Sequence, residues 1–199
     1  MNTSLQFVDL GLISGVLWAD RNIGANTPEK MGNYYRFGET IPCTQNSGKY
    51  QIRNFNECIC ATEFDVSYIQ SNKQYRMPTR EDVVELIGFC KIKPRYGFYD
   101  YKEKRYKYVK GYDVYGPNNN SIFLPQISNI DETTVMEKIN TDIRPNIYWT
   151  GTTHPNHLSA FALHLSVNQN LYVAELMSVA ACVRPVTHKY DKAEGRFLK

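Results

Sequence analysis

Apolar segments along this chain are short, because glycine and asparagine interrupt most of them. The pattern therefore predicts short strands and one clear helix. Two apolar segments, residues 7–12 and 16–19, predict a pair of strands. The helix is expected over residues 80–90, where apolar side chains recur at helical spacing and Thr79 can cap the first turn. A second, shorter helix is expected within residues 54–65.

After the helix the pattern changes to strands. Residues 96–101 and 106–109 predict a charged hairpin, and residues 112–115 and 121–125 predict a second hairpin whose last strand is buried. The remaining strands are expected at 148–151, 160–166, 171–175 and 180–186. Such a mixture predicts an α+β fold with antiparallel strands and one or two helices, not a parallel sheet of βαβ units.

Length and composition suit one globular domain, which we place at residues 1–186, followed by a polar C-terminal tail at residues 187–199. The net charge of +3 is too small to indicate a nucleic-acid partner. No apolar stretch is long enough to predict a membrane span. The chain contains 15 tyrosines, and this aromatic excess is typical both of recognition surfaces and of strand-rich cores.

Cysteine usage and motifs argue against catalysis. The five cysteines form an odd set without a CxxC pair, so neither a disulfide framework nor a zinc ribbon is predicted. Cys58 and Cys60 would share one face of a strand and a shared metal is conceivable, but no histidine lies close in sequence. Phosphate-binding loops and the motifs of zinc proteases and serine hydrolases are missing from the sequence. We therefore predict no catalytic residue, metal or cofactor.

A set of motifs across most of the chain resembles the Fibrobacter major paralogous domain family, which is abundant in gut Bacteroidetes and their phages. The matching segments are 8–12 (VDLGL), 14–19 (SGVLWA), 22–25 (NIGA), 28–29 (PE), 32–39 (GNYYRFGE), 75–79 (YRMPT) with Glu81, 111–118 (GYDVYGPN), 121–125 (SIFLP), 148–150 (YWT) and 183–186 (VRPV). The resemblance implies a compact C-type-lectin-like fold, in which short antiparallel strands and one or two helices support variable loops. Its core is expected to contain Trp18, Phe37, Leu86, Phe123 and Val183.

The same resemblance implies that the C-terminal part of the domain faces the ligand. This part combines aromatic anchors with adaptable hydrogen-bonding groups, a composition similar to that of an antibody paratope. The predicted ligand-binding residues are Thr150, Thr152, Thr153, His154, Asn156, His157, Asn168, Asn170 and Tyr172. Tyr148 and Trp149 lie in a family motif and are equally consistent with a core position.

Metal binding is an alternative role for this region, and residues 91–110 have two possible roles of their own. His154 and His157, with His164, could hold a metal, but Pro155 interrupts the pair and exposed loop histidines explain it better. Classical calcium-dependent lectins use Glu-Pro-Asn or Gln-Pro-Asp loops that do not occur here, so a lectin-like fold implies neither calcium nor sugar. The segment 91–110 carries eight Lys or Arg residues among tyrosines; it predicts either a solvated hairpin or a contact with a protein or anionic glycan.

These observations predict a non-enzymatic binding or adhesion module displayed on a phage virion, as a fibre or decoration protein that contacts a host cell-surface glycan or protein. The domain motifs begin almost at Met1 without an export signal, and free cysteines suit assembly in a reducing cytoplasm. Its partners would be other virion proteins, reached through the tail at 187–199, in a homo-oligomer or multi-copy assembly. The alternative is a secreted or surface-anchored bacterial adhesin that binds glycans or proteins.

Overall fold

Short strands and two helices form an α+β fold in the part of the chain that the structure describes. The computed structural model describes residues 4–44, 48–102, 104–107, 110–126, 142–166, 171–188, 190–191 and 196–197. In chain order the elements are β1 (Phe7–Asp9), β2 (Val16–Ala19), β3 (Tyr35–Arg36), α1 (Val66–Gln70), α2 (Arg80–Phe89), β4 (Lys91–Arg95), β5 (Phe98–Asp100), β6 (Arg105–Lys107), β7 (Gly111–Tyr115), β8 (Ser121–Pro125), β9 (Ile143–Thr153), β10 (Ser159–His164), β11 (Leu171–Leu176), β12 (Ala180–Cys182), β13 (Val186–His188), β14 (Tyr190–Asp191) and β15 (Arg196–Phe197).

The largest sheet has five strands in the order β11-β10-β9-β12-β3. Two three-stranded sheets, β1-β2-β13 and β4-β7-β8, and two strand pairs, β5-β6 and β14-β15, complete the described strands. Among them only β9 and β12 pair in parallel, and the chain between these two strands forms β10 and β11 instead of a crossover helix. The predicted class, α+β without βαβ units, is therefore confirmed, as are both hairpins after α2.

Two clusters of buried apolar side chains pack on opposite faces of the five-stranded sheet. Along β9, Tyr148 belongs to one cluster, whereas Ile147 and Trp149 belong to the other. This alternation follows from the pleat of a strand, which turns successive side chains to opposite faces. All the residues predicted for the core are buried: Trp18, Phe37, Leu86, Phe123 and Val183.

Helix α2 is confirmed, and its first turn has a complete capping box. The Thr79 hydroxyl accepts a hydrogen bond from the Asp82 N–H, and the Asp82 carboxylate accepts one from the Thr79 N–H. The shorter helix is not within residues 54–65, as predicted, but at Val66–Gln70. Asp65 is its cap and accepts hydrogen bonds from Ser67 N and Tyr68 N, so the helix begins where the predicted one ends.

The interior around Arg184, which we call the Arg184 node, joins three parts of the fold. The guanidinium group donates to Asn22 Oδ1 at 2.7 Å, to the Ala19 carbonyl at 2.9 Å and to the Phe123 carbonyl at 2.8 Å. All three acceptors are uncharged, and the side chain is fully buried. Burial lowers the pKa of Arg184 to about 10. The arginine of the VRPV motif thus forms hydrogen bonds that connect separate parts of the fold.

Strand β13 spans the position after Val186 at which the end of the domain was predicted. β13 runs to His188 and pairs with β2, with Thr187 opposite Leu17. The Thr187 hydroxyl also donates to the Gln74 carbonyl at 3.2 Å. The predicted boundary therefore falls inside a paired strand. Residues 189, 192–195 and 198–199 lie outside the described residues.

Candidate binding surface

Two of the predicted ligand-binding threonines, Thr150 and Thr153, are buried and donate hydrogen bonds inside the fold. The Thr150 hydroxyl donates to the Phe161 carbonyl at 2.7 Å, and the Thr153 hydroxyl lies 3.0 Å from both the Asn56 and Glu57 carbonyls. Both lie on β9 and are buried, and their hydroxyl groups are already bonded to backbone carbonyls, so the structure places them away from an accessible polar surface. Tyr148 and Trp149 are likewise buried.

The turn between β9 and β10 carries the exposed polar residues of the predicted set. Asn156 accepts hydrogen bonds at Oδ1 from Leu158 N at 3.0 Å and Ser159 N at 2.9 Å, so its side chain shapes the turn. His157 is exposed and has a φ of 56°, in the left-handed region. His157 is consequently the freer of these two side chains for contact with a ligand.

Four side chains meet on the surface beside this turn, and we call them the aromatic–arginine patch: Arg80, His154, Phe161 and Tyr172. The ring centroids of His154 and Phe161 are 5.2 Å apart, and those of Phe161 and Tyr172 are 6.0 Å apart. The Arg80 guanidinium carbon lies 5.1 Å from the Phe161 centroid and 5.7 Å from the Tyr172 centroid. Tyr172 is 47% exposed and the Arg80 side chain 42% exposed, so both remain accessible.

Strand register and helix packing produce the patch. Phe161 alternates with the buried Ala160 and Ala162, so it points to the face of the sheet that also carries Leu163. Leu163 is directly opposite Tyr172 in the antiparallel β10–β11 pair, which brings the two aromatic rings onto that same face. Helix α2 contacts β9, β10 and β11, and its first residue, Arg80, reaches the rings.

Stacking and charge make the patch a candidate binding surface. A guanidinium group over aromatic faces is held by cation–π attraction, which restricts the side chain before any ligand arrives. The carboxylate of Glu81 lies 3.4 Å from Arg80 Nε and compensates part of its charge. Tyrosine and arginine are the residue types that most often dominate binding energy at interfaces. The exposed face of Tyr172 can stack against a sugar ring or an apolar side chain.

The remaining predicted residues have different places. Thr152 is half-buried, and its hydroxyl accepts a hydrogen bond from the Arg80 N–H at 3.0 Å. Asn168 and Asn170 lie outside the described residues. Arg80 and Phe161 belong to the patch but not to the predicted set. Alternation with small buried alanines was a usable signal for Phe161, whereas Arg80 is far away in sequence and only the packing of α2 brings it near.

A concave region elsewhere on the surface, which we call the Tyr50 cleft, has a volume of about 450 Å³. Its lining includes Phe37, Glu39, Tyr50 and Arg53. The Tyr50 hydroxyl donates to the Phe37 carbonyl at 2.9 Å, and burial raises the pKa of Tyr50 to about 12. Beside it the buried Arg36 forms a 2.8 Å ion pair with Glu39. Two polar side chains of its lining, Tyr50 and Glu39, are therefore bonded internally.

Comparison with known proteins gives no relative: no family model matches the chain, and neither curated proteins nor solved structures yielded a match. In the described part of the chain, no three or more His, Cys, Asp or Glu side chains are grouped so that they could hold a metal ion. None of the described helices combines the length and apolar character needed to cross a membrane.

Proposed function

We propose that this protein is a non-enzymatic binding module that contacts a cell-surface glycan or protein through the aromatic–arginine patch. The observation that supports the proposal is the exposed pair of Tyr172 and Arg80: the Tyr172 ring packs edge-to-face with Phe161, and the Arg80 guanidinium lies over both rings. A side chain held in place before binding loses less conformational entropy when a ligand arrives. Such a surface favours contact with a rigid, partly apolar ligand such as a sugar ring.

The proposal includes a C-type-lectin-like fold, as in the family that the motifs resemble. Two observations support it. The described strands are short and mostly antiparallel and are accompanied by two helices. Residues of the matching motifs, including Trp18, Trp149 and Arg184, are fully buried, as expected for a scaffold that carries its ligand on other residues.

A double variant, Arg80→Ala with Tyr172→Ala, tests the patch. Binding of purified protein to a glycan array and to intact gut Bacteroidetes cells is measured for both wild type and variant. We expect a loss of affinity of about tenfold or more, because truncation of an interface hot spot commonly costs more than about 1 kcal/mol.

The chain offers a matched control for this experiment. Lys93 lies 5.8 Å from the ring of Tyr115, which is 38% exposed, so the two form a similar surface pair on β4 and β7. Lys93→Ala with Tyr115→Ala should bind as the wild type does. If the patch variant also binds like wild type, the proposal fails for this surface, and the Tyr50 cleft becomes the next region to test.

Display on a phage virion, in several copies and joined to other virion proteins, is the second part of the proposal; the alternative is a secreted or surface-anchored bacterial adhesin. Because β13 includes Thr187 and His188, a truncation should remove only residues 189–199. We expect the truncated protein to fold but not to join the particle. Normal assembly would contradict the anchoring role of the tail, and absence of the intact chain from purified particles, by mass spectrometry, would favour the bacterial adhesin.

A further inference from the structure

Two free thiols, Cys58 and Cys60, lie on a loop that runs along β9 behind the patch. Cys58 forms an antiparallel bridge with Thr152, and the Ile59 N–H donates to the Gly151 carbonyl at 2.8 Å. Gly151 also makes room for the second thiol, since a Cβ atom there would be 2.4 Å from Cys60 Sγ. Both cysteines are half-buried, so part of each residue is open to small reagents.

Several donors converge on the sulfur of Cys58. The Cys60 N–H donates to Cys58 Sγ at 3.3 Å. The Cys60 thiol, which also lies 3.4 Å from the Met77 carbonyl, and the Thr152 hydroxyl favour the thiolate form of this sulfur as well. Thr152 accepts the N–H of Arg80, the first residue of α2, at 3.0 Å. This arrangement leaves the threonine hydroxyl hydrogen for Cys58. Donors that point at a sulfur stabilise its thiolate form.

Hydrogen bonds and one nearby positive charge lower the pKa of Cys58. The Cys60 thiol hydrogen bond is the largest influence, and together with the Cys60 N–H, Thr152 and the positive charge of Arg76 it outweighs burial and lowers the pKa of Cys58 to about 7. Arg76 is itself paired with Asp82 at 2.7 Å. The hydrogen bond to Cys58, then burial, and then the charges of Cys58 and Asp65 raise the pKa of Cys60, so the first proton lost from the pair is that of Cys58.

The other cysteines lack this environment. Burial raises the pKa of Cys90 to about 11 and raises that of Cys43. Cys182 is fully buried, and its thiol donates to the Met31 carbonyl at 3.2 Å. Cys58 is therefore expected to react before them with small thiol reagents at neutral pH.

We propose that Cys58 and Cys60 form a reactive dithiol that exchanges with small disulfides of the glutathione type and closes to an intramolecular disulfide. In the first step the Cys58 thiolate attacks one sulfur of the small disulfide, forms a mixed disulfide and releases one thiolate. In the second step Cys60 loses its proton to solvent and attacks the Cys58 sulfur, and the second small thiolate leaves. The two protein thiols are oxidised, and the small disulfide is reduced to two thiols.

The order of the steps follows from the contacts of Cys60. Its pKa is raised first by the hydrogen bond that its thiol donates to the Cys58 sulfur, then by burial and by the negative charge of Cys58. Formation of the mixed disulfide removes the Cys58 charge and weakens that hydrogen bond. The pKa of Cys60 then falls towards its ordinary range, with the positive charge of Arg76 favouring the thiolate and burial and the charge of Asp65 opposing it.

Alkylation by iodoacetamide tests the first thiol. We measure the rate at each cysteine by peptide mapping as a function of pH, with Cys90 in the same sample as the internal control. The alkylation rate of Cys58 should reach half of its maximum at a pH of about 7. Thr152→Val should move this midpoint upward, since one donor is lost. A Cys58 midpoint at about 8.5 or above, the range of an ordinary thiol, overturns the proposal, as does equal labelling of Cys90 at neutral pH.

Oxidised glutathione tests the pair. The wild-type chain should lose two hydrogens and carry a Cys58–Cys60 disulfide without bound glutathione, whereas Cys60→Ser should stop at a mixed disulfide on Cys58. Cys90→Ser should behave as wild type. A stable mixed disulfide in the wild type, or reaction at Cys60 in Cys58→Ser, overturns the proposal. The wild-type mapping decides the question even if a variant folds poorly.

Discussion

The Arg184 node and the aromatic–arginine patch both contain an arginine, but its surroundings differ. Arg184 is fully buried and donates to three uncharged oxygens on separate parts of the chain. Arg80 lies at the start of α2 with 42% of its side chain exposed, stacked on Phe161 and Tyr172. The first guanidinium group is bonded inside the fold, whereas the second lies partly exposed at the surface.

The difference shows that residue type alone does not tell which polar side chains of this protein are buried and which are accessible. A buried polar group has to find partners inside the protein, because loss of hydration is costly. Threonines obey the same rule: Thr150 and Thr153 bond to backbone carbonyls and are buried. Substitutions should therefore affect stability in the interior and affinity at the patch.

The largest expected effect is that of Arg184→Met. This change removes three hydrogen bonds and leaves Asn22 and two carbonyls without their donor, so the free energy of unfolding should fall by about 3 kcal/mol or more. Urea unfolding followed by circular dichroism measures it. Arg184→Lys should lose less, because an ammonium group can still donate. A change below about 1 kcal/mol for Arg184→Met would show that the node does not hold the fold together.

Thr153→Val should give the next largest effect. The variant keeps the shape of the side chain but cannot donate to the carbonyls of Asn56 and Glu57, and a cost of about 1 to 2 kcal/mol is expected in the free energy of unfolding. His157→Ala, at an exposed position of the adjacent turn, is the control and should change little. Equal stabilities for the two variants would contradict the buried role of Thr153.

Arg76 and His188 provide an intermediate case, since both are half-buried. Burial, followed by the charge of Arg76, lowers the pKa of His188, while Asp82 acts in the opposite direction. The folded-state pKa of His188 lies below the unfolded value of about 6.5, so the folded state favours the neutral imidazole. The contribution of His188 to the free energy of unfolding is therefore fully present above a pH of about 6.5 and is lost as pH falls through the folded-state pKa. In thermal unfolding at several pH values, His188→Gln should therefore lose less stability on acidification than wild type. If His188→Gln and wild type show the same pH dependence of the melting temperature, His188 does not contribute to the loss of stability on acidification.

The smallest effect on stability is expected at the patch. Arg80→Ala with Tyr172→Ala removes partly exposed stacking contacts, which are worth about 1 kcal/mol or less. The melting temperature should therefore change little, and Lys93→Ala with Tyr115→Ala should behave in the same way. A large loss of stability in the patch variant alone would show that these residues support the fold instead of serving a ligand.

Local sequence patterns were sufficient for several elements. The apolar stripe and the Thr79 cap predicted α2, because helix periodicity and capping depend on neighbours within one or two turns. The two hairpins after α2 were predicted for the same reason. The helix at Val66–Gln70 was misplaced because its start depends on Asp65, whose carboxylate also accepts the Met77 N–H from beyond the helix.

The sequence by itself thus determined the fold class, the buried core positions and the C-terminal region that would carry polar and aromatic side chains. Tertiary structure alone decided which of those side chains are accessible. Thr153 and His154 are adjacent in sequence, yet one donates into the interior and the other stacks on Phe161. Arg80 joins them only because α2 packs across three strands. Strand register and helix packing are long-range properties, so no local pattern could assign these roles.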